Sequence, residues 1–146
     1  MNITQLLLAK TTFTGSFYFT RFVSNPEITI TGSAVFLTTT NKAVSYQENG
    51  VYRLNDEEHT CYQKQTFLFT EDSLIIHNNN METLHHFNLK SIDAAFKDTH
   101  TCQLDRYTID IDIQSNDQFT IFYRIQGPKK NYSIKTFYTR QENDNL

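Results

Sequence analysis

The amino-acid sequence predicts an all-β fold, a single antiparallel up-and-down barrel of about eight to ten strands preceded by a short N-terminal helix. Its composition is rich in Thr, Tyr, Phe and Ile and poor in Gly and Pro, which is typical of strands. Clusters of turn-forming residues recur along most of the chain, at about the spacing of short consecutive strands. So many strands in one sheet would leave exposed edges, and closing the sheet into a barrel removes them.

The 146 residues suit a single domain of three parts. Residues 1–12 predict one or two helical turns, in which Ile3, Leu6 and Leu7 share a face and plug the barrel. Residues 13–140 predict the barrel itself. Residues 141–146 lack an anchoring apolar group before the last residue, so we expect a disordered tail.

Alternation of apolar and polar residues defines the individual strands. It is clearest from Tyr107 to Ile113, where Asp110 and Asp112 occupy the opposite, wet face. The dipeptide Asn49-Gly50 predicts a tight turn between two short strands. The expected strands are 15–23, 28–38, 43–48, 51–54, 59–69, 73–77, 83–89, 94–102, 107–113, 119–125 and 132–140.

Charge and hydropathy argue against several classes of function. The net charge is −3 and the basic residues are scattered, so we expect no nucleic-acid partner. No apolar stretch approaches the length of a membrane span, and the N-terminal residues lack the order of a secretory signal, so we expect a cytoplasmic protein without a membrane partner. We interpret Cys61 and Cys102 as reduced thiols. A monomer and a homodimer both remain open.

Five short motifs occur in order along residues 13–140, and together they resemble the domain of unknown function 6314 family, a calycin-like or lipocalin-like barrel. The motifs are Gly15-Ser16-Phe17 with Arg21, Gly32-x-Ala34-x-Phe36, Tyr46-x-Glu48-x-Gly50, His100-x-Cys102-x-x-Asp105-x-Tyr107, and Gly127-Pro128-Lys129 followed by Tyr132 and the strand end from Thr136 to Arg140. The family has no established activity, so the resemblance implies a fold rather than a reaction. Its kinship with calycins implies ligand binding by analogy. Phe17 replaces the family's Trp, and Arg140 is expected to cover its ring in a cation–π contact.

The motif around His100 raises the question of a metal site. His100 and Cys102 are two residues apart on a strand and share a face, so both could contact one ion or one ligand. A metal would need further ligands from His77, His85, His86 or Asp105. The alternative is structural, with Cys102 as a core thiol and Asp105 in the turn before the next strand. We assign no metal or cofactor; zinc remains an alternative, as does haem held by His77 and one histidine of the 85–86 pair.

Tyr46 and Glu48 also share a strand face. If this face points inward, the Glu48 carboxylate needs a buried partner, which Arg21, Arg124 or Arg140 could supply.

The sequence therefore favours a protein that binds a small hydrophobic or aromatic molecule in the barrel lumen. One alternative is an enzyme that uses the same pocket, with His100 as acid or base and Glu48 or Asp105 as its partner. Another is a pocket-free interaction module with an exposed apolar patch at Tyr18, Phe22 and Val35. The candidate ligand-binding residues are Phe17, Phe19, Arg21, Phe36, Tyr46, Glu48, His100, Cys102, Tyr107, Tyr123, Tyr138 and Arg140.

Overall fold

A computed structural model describes residues 3–89 and 96–142 and contains one helix and ten strands in these ranges. The helix α1 spans Ile3–Thr12. The strands are β1 (Gly15–Val23), β2 (Ile28–Thr38), β3 (Ala43–Leu54), β4 (Glu57–Phe69), β5 (Ser73–His77), β6 (Thr83–Asn88), β7 (Phe96–Cys102), β8 (Asp105–Ser115), β9 (Gln118–Gln126) and β10 (Asn131–Arg140). None of the described helical residues forms a segment long and apolar enough to cross a membrane.

The ten strands form one antiparallel sheet in the order β6-β5-β4-β3-β2-β1-β10-β9-β8-β7. Its first and last strands, β6 and β7, meet at a seam where side chains replace the backbone ladder in the described part of the chain. The backbone N–H of His86 donates to Asp98 Oδ2 at 3.1 Å, and the Phe87 ring packs edge-on to Phe96 at 5.9 Å. The sheet is therefore a nearly closed barrel, which confirms the predicted fold class.

Strand β3 corrects one prediction, because it runs without a break through Asn49 and Gly50. Gly50 pairs with Gly32 on β2, and a Cβ atom on Gly32 would lie 2.0 Å from the Asn49 carbonyl oxygen. These glycines therefore permit a close approach of two strands instead of forming a turn. The turn comes later, at Asn55 and Asp56, which both have positive φ angles.

The hairpin between β7 and β8 corrects a second prediction. Its turn consists of Gln103 and Leu104 alone, and Gln103 adopts a positive φ of 57°. Cys102 pairs directly with Asp105, so Asp105 opens β8 instead of lying in the turn. Residues 94 and 95, the start of the predicted strand, lie outside the described residues.

One end of the barrel is filled with aromatic rings. Phe13 lies 5.1–5.3 Å from the rings of Phe36, Phe67 and Phe119, and Phe17 packs edge-on to Phe36 and Phe119. Ring pairs at these separations add to the stability gained from burial. This end of the interior is therefore solid.

The helix α1 lies at this filled end, where Ala9 and the following Phe13 are completely buried. At ten residues it is longer than the predicted one or two turns. Leu7 is 59% exposed, so its assignment to the buried face was wrong. The side chains of Ile3 and Leu6 lie outside the described part of the molecule.

Arg140, at the end of β10, connects the C-terminal end of α1 to the barrel through side-chain contacts. Its guanidinium lies 4.6 Å from the centre of the Phe17 ring, which confirms the predicted cation–π contact. It also donates to the backbone carbonyls of Thr12 and Thr14. The adjacent Gln141 N–H donates to the Ser16 carbonyl at 3.0 Å, whereas residues 143–146 of the predicted tail lie outside the described residues.

Candidate functional site

Beyond the aromatic packing, the interior opens into a cavity of about 430 Å³. This volume falls within the range of small-molecule pockets. A barrel filled throughout by side chains, as the pocket-free alternative requires, does not match this interior. The cavity is lined by Arg21, Phe36, Tyr46, Glu48, Gln63, Gln65, Phe67, Ile76, Thr83, Leu84, His85, His100, Tyr107, Ile109, Ile121, Tyr123, Ile134, Thr136 and Tyr138.

Eight of the twelve candidate ligand-binding residues line the cavity, namely Arg21, Phe36, Tyr46, Glu48, His100, Tyr107, Tyr123 and Tyr138. The other four do not. Phe17 and Arg140 belong to the filled end, and the Phe19 ring lies 4.8 Å behind the Arg21 guanidinium. Cys102, at the end of β7, is exposed, so it is neither a lining residue nor the core thiol of the structural alternative.

Eleven further lining residues were not among the candidates, and they include apolar and polar side chains. Ile109 and Ile121 lie on strands with clear period-two alternation, but alternation does not show which inward positions border empty space. Gln63 and Gln65 carry no such signal, because polar residues two apart on a strand equally describe a solvated face.

A buried ion pair forms the inner wall of the cavity. Arg21 Nη1 and Nη2 donate to the two carboxylate oxygens of Glu48 at 2.7 and 2.8 Å, and Glu48 is only 2% exposed. Of the three arginines considered as partners, Arg21 is therefore the one that pairs with Glu48. Arg124 instead lies over the ring of Phe122, on the outside of the barrel.

Two tyrosines and a threonine complete this group. The Tyr46 hydroxyl donates to Glu48 Oε1 and lies 2.9 Å from the Tyr138 hydroxyl. Arg21 Nε donates to Thr136 Oγ1 at 2.8 Å. We call these five residues the inner polar group: Arg21, Tyr46, Glu48, Thr136 and Tyr138.

Burial and charge shift the pKa values of this group. Burial alone would lower the pKa of Arg21, but the hydrogen bond to Glu48 and the nearby Tyr138, Glu48 and Tyr46 outweigh it and raise that pKa. Burial, reinforced by Tyr138 and Glu48, raises the pKa of Tyr46 well above its usual value. Burial also raises the pKa of Tyr138, although Arg21 opposes the shift. At neutral pH the two hydroxyls therefore keep their protons and the guanidinium keeps its charge.

Arg21 retains one N–H group for a further partner. A guanidinium has five N–H donors. Hydrogen bonds among the described residues use the one on Nε, one on Nη1 and the two on Nη2, the last with Tyr138 at 3.4 Å. The remaining N–H on Nη1 has no partner among the described residues, and Arg21 is one of the residues that line the cavity.

The open end of the cavity is ringed by His85, His100, Tyr107 and Tyr123. The exposed His100 ring stacks on Tyr107, with centres 5.0 Å apart and planes 9° apart. Burial raises the pKa of Tyr123 to about 12, with smaller contributions from Tyr107 and Tyr132. This end therefore offers flat aromatic surfaces with polar edges.

His85 is the more buried of the two histidines, with 11% of its side chain exposed. Its Nδ1 atom has no hydrogen-bond partner and lies 3.8 Å from Asp98 Oδ2. Burial lowers the pKa of His85 to about 4; Asp98 opposes this shift and His100 adds to it. The imidazole is therefore neutral at physiological pH.

The remaining candidates lie away from the cavity lining. Asp105 is 3.6 Å from Lys130 Nζ, so only His100 and Glu48 of the suggested catalytic residues line the cavity. His77, one of the histidines in the haem alternative, is not a lining residue. His86 faces the other way from His85, with Nε2 3.2 Å from Ser73 Oγ. Cys61 and Cys102 are both free thiols, as predicted.

Solved structures with the same fold include both natural and designed barrels. The S-type phycobiliprotein lyase CPES from Guillardia theta superposes with a TM-score of 0.66 at 9% identity, covering 97% of this chain and 94% of that chain. The designed barrel EF1p2_mFAP2b, bound to DFHBI, gives a TM-score of 0.55 at 13% identity, covering 93% of this chain and 99% of that chain. At these identities the likeness establishes the fold alone.

Comparison of the sequence itself gives one match, to a protein family. No curated protein shows significant sequence similarity to this chain. The sequence pattern of the Family of unknown function (DUF6314) matches residues 13–140. That match covers the whole barrel from the first buried phenylalanine to Arg140, and the chain therefore belongs to the DUF6314 family.

Proposed function

We propose that the protein binds a small, largely aromatic molecule that carries a hydrogen-bond acceptor at one end. The observation that carries this proposal is the cavity of about 430 Å³, which combines an apolar wall with a preformed polar group at its inner end. Ligand pockets usually have this combination, in which apolar walls provide affinity and a few polar atoms fix orientation.

The wall favours a flat, apolar ligand body. Aromatic rings form much of the wall, and four different strands each contribute an isoleucine to it: Ile76, Ile109, Ile121 and Ile134. A ligand that covers these side chains gains about 25 cal/mol for each Å² of apolar surface removed from water.

The inner polar group favours an acceptor atom over a second cation. Glu48 already receives hydrogen bonds from Arg21 and Tyr46, and its charge is neutralised by Arg21. The unused N–H of Arg21 is a charge-assisted donor in a poorly solvated place, where such hydrogen bonds are strong. A carbonyl, phenolate or sulfonate oxygen is therefore the expected partner.

The fold relatives support ligand binding in general terms. A designed barrel of this shape binds DFHBI, and another relative is a phycobiliprotein lyase. A shared fold does not identify the ligand of a protein. The aromatic and acceptor character of the proposed ligand rests on the residues of this chain.

The proposal can be tested with 8-anilinonaphthalene-1-sulfonate, an aromatic probe that carries a sulfonate acceptor. We expect saturable binding of one probe molecule per chain, with increased probe fluorescence. Ile134→Trp, which fills part of the cavity, is expected to weaken binding at least about tenfold. Thr139→Trp is the matched control on the same strand, because Thr139 is exposed and does not line the cavity.

The two variants also supply a reporter, since the natural sequence contains no tryptophan. Emission of the new indole at shorter wavelength in Ile134→Trp than in Thr139→Trp would verify that the side chain entered the interior. Absence of saturable probe binding, or equal binding by the wild type and a folded Ile134→Trp, would overturn the proposal.

A further inference from the structure

Three side chains with metal-binding atoms converge at the mouth of the cavity. His85 comes from β6, and Asp98 and His100 come from β7. One ligand atom from each lies within 4.8 Å of the others, and His85 Nδ1 is 3.8 Å from Asp98 Oδ2. We propose that these three residues bind a divalent transition-metal ion.

The donor set matches known metal chemistry. Two imidazoles and one carboxylate form the protein ligands of many catalytic zinc sites and of non-haem iron sites. Such sites keep at least one coordination position for water or a substrate atom. Because His85 and His100 also line the cavity, the bound ion would lie where a cavity ligand enters.

The state of His85 points to a missing partner. Its Nδ1 atom is buried without a hydrogen bond, and 3.8 Å is too long for one to Asp98. An unsatisfied buried polar atom costs about 1–3 kcal/mol. Two donors bound to a tetrahedral zinc ion at about 2.0–2.1 Å lie about 3.4 Å apart. Small side-chain rotations therefore bring the three donors into coordination distance.

Neighbouring contacts already orient two of the ligands. The backbone N–H of His86 donates to Asp98 Oδ2 at 3.1 Å, and Tyr107 stacks on the His100 ring. Contacts of this kind fix ligand orientation in metal sites. The ligands lie on both sides of the seam, so the ion would also link β6 to β7 where the described strands share no backbone ladder.

Direct metal binding tests the proposal. Protein treated with a chelator is titrated with Zn²⁺ by calorimetry, and in parallel with Co²⁺ by visible absorption. We expect one ion per chain and the absorption bands of cobalt with nitrogen and oxygen ligands. His100→Gln and Asp98→Asn should each weaken Zn²⁺ binding at least about tenfold. Both substitutions keep side-chain size close to the original, and His100 is exposed, so both variants are expected to fold.

His59→Gln is the matched control, because His59 lies 3.9 Å from a single carboxylate, that of Glu57, and outside the three-residue cluster. It should bind Zn²⁺ like the wild type. Absence of stoichiometric Zn²⁺ binding, or unchanged binding by His100→Gln and Asp98→Asn, would overturn the metal site. Titration of the metal-free protein with the naphthalene probe shows separately whether the cavity binds aromatic molecules.

Discussion

At the scale of single residues, Glu48 most strongly constrains the interior. It is an almost fully buried carboxylate whose charge is balanced by Arg21 and whose oxygens are held by three hydrogen bonds. A buried ion pair does not by itself imply high stability, since desolvation offsets much of the attraction. Losing one partner, however, leaves an uncompensated buried charge.

Glu48→Gln should lower the free energy of unfolding by about 3 kcal/mol, because Arg21 would remain buried and charged. Urea unfolding at neutral pH measures this change. The double variant Arg21→Met, Glu48→Leu should recover most of the loss, since apolar residues of similar volume can replace a buried pair. A loss in Glu48→Gln below about 1 kcal/mol, as for a surface pair, would contradict this role.

Tyr46 should make the stability sensitive to alkaline pH. Its pKa is raised by burial and by Tyr138 and Glu48, so above its usual value of 10.0 the folded state retains a proton that the unfolded state loses. The stability contributed by this retained proton is complete below pH 10 and falls by about 1.4 kcal/mol per pH unit above it. Tyr46→Phe should make this fall in stability shallower, and the raised pKa values of Tyr138 and Tyr123 account for the dependence that is left. Urea unfolding of both proteins on either side of pH 10 compares the slopes, and parallel curves would refute the assignment.

At the scale of elements, the close approach of β2 and β3 determines the shape of the wall. Gly32 faces Gly50, and the two strands leave no space for a Cβ atom at Gly32. Asn49-Gly50 favours a turn locally, but no turn forms there, because β3 stays hydrogen-bonded to β4 as far as Leu54. A dipeptide that suits a turn is only a local preference, which many ladder hydrogen bonds outweigh.

Gly32→Ala should destabilise the protein by about 1–3 kcal/mol or more, because the new methyl group would collide with the backbone of Asn49. Ser33→Ala is the matched control at the next position of β2, where the side chain is exposed. Thermal unfolding of the two variants gives the comparison. Equal midpoints for Gly32→Ala and Ser33→Ala would show that the strands can separate without cost.

At the scale of the whole molecule, the barrel has a filled end near α1 and an open end with the cavity. The N-terminal and C-terminal strands β1 and β10 are paired along their length, whereas the described parts of β6 and β7 meet through side chains. The seam is thus the weakest part of the wall and also carries His85, Asp98 and His100. Regions with few backbone contacts are those that open most readily.

Amide hydrogen exchange should follow this division. We expect the slowest exchange in β1, β2 and β3, which are paired on both sides, and the fastest strand exchange in β6 and β7. Mass spectrometry of peptides from these strands measures the order. Equal protection of β6 and β2 would mean that the seam is closed by backbone hydrogen bonds.

The sequence alone determined which residues share a strand face, but not always which face points inward, because Cys102 was expected inside and is exposed. Period-two alternation predicted the barrel, and the shared face of Tyr46 and Glu48 correctly required a buried cation. The sequence left three arginines as candidates for that cation, and Arg21 is the one that pairs with Glu48. The predicted contact between Arg140 and Phe17 also formed. Side-chain direction in a strand is a local property of the backbone, so sequence patterns contain it.

Only the tertiary structure decided which inward residues pack together and which border empty space. Phe17 and Tyr138 both point inward, yet Phe17 fills one end and Tyr138 lines the cavity. Asp98 shares a face with His100, but its approach to His85 depends on closure of the barrel at the seam. Residues distant in sequence meet only after strand order and closure are fixed, because these depend on packing over the whole chain rather than on any local segment.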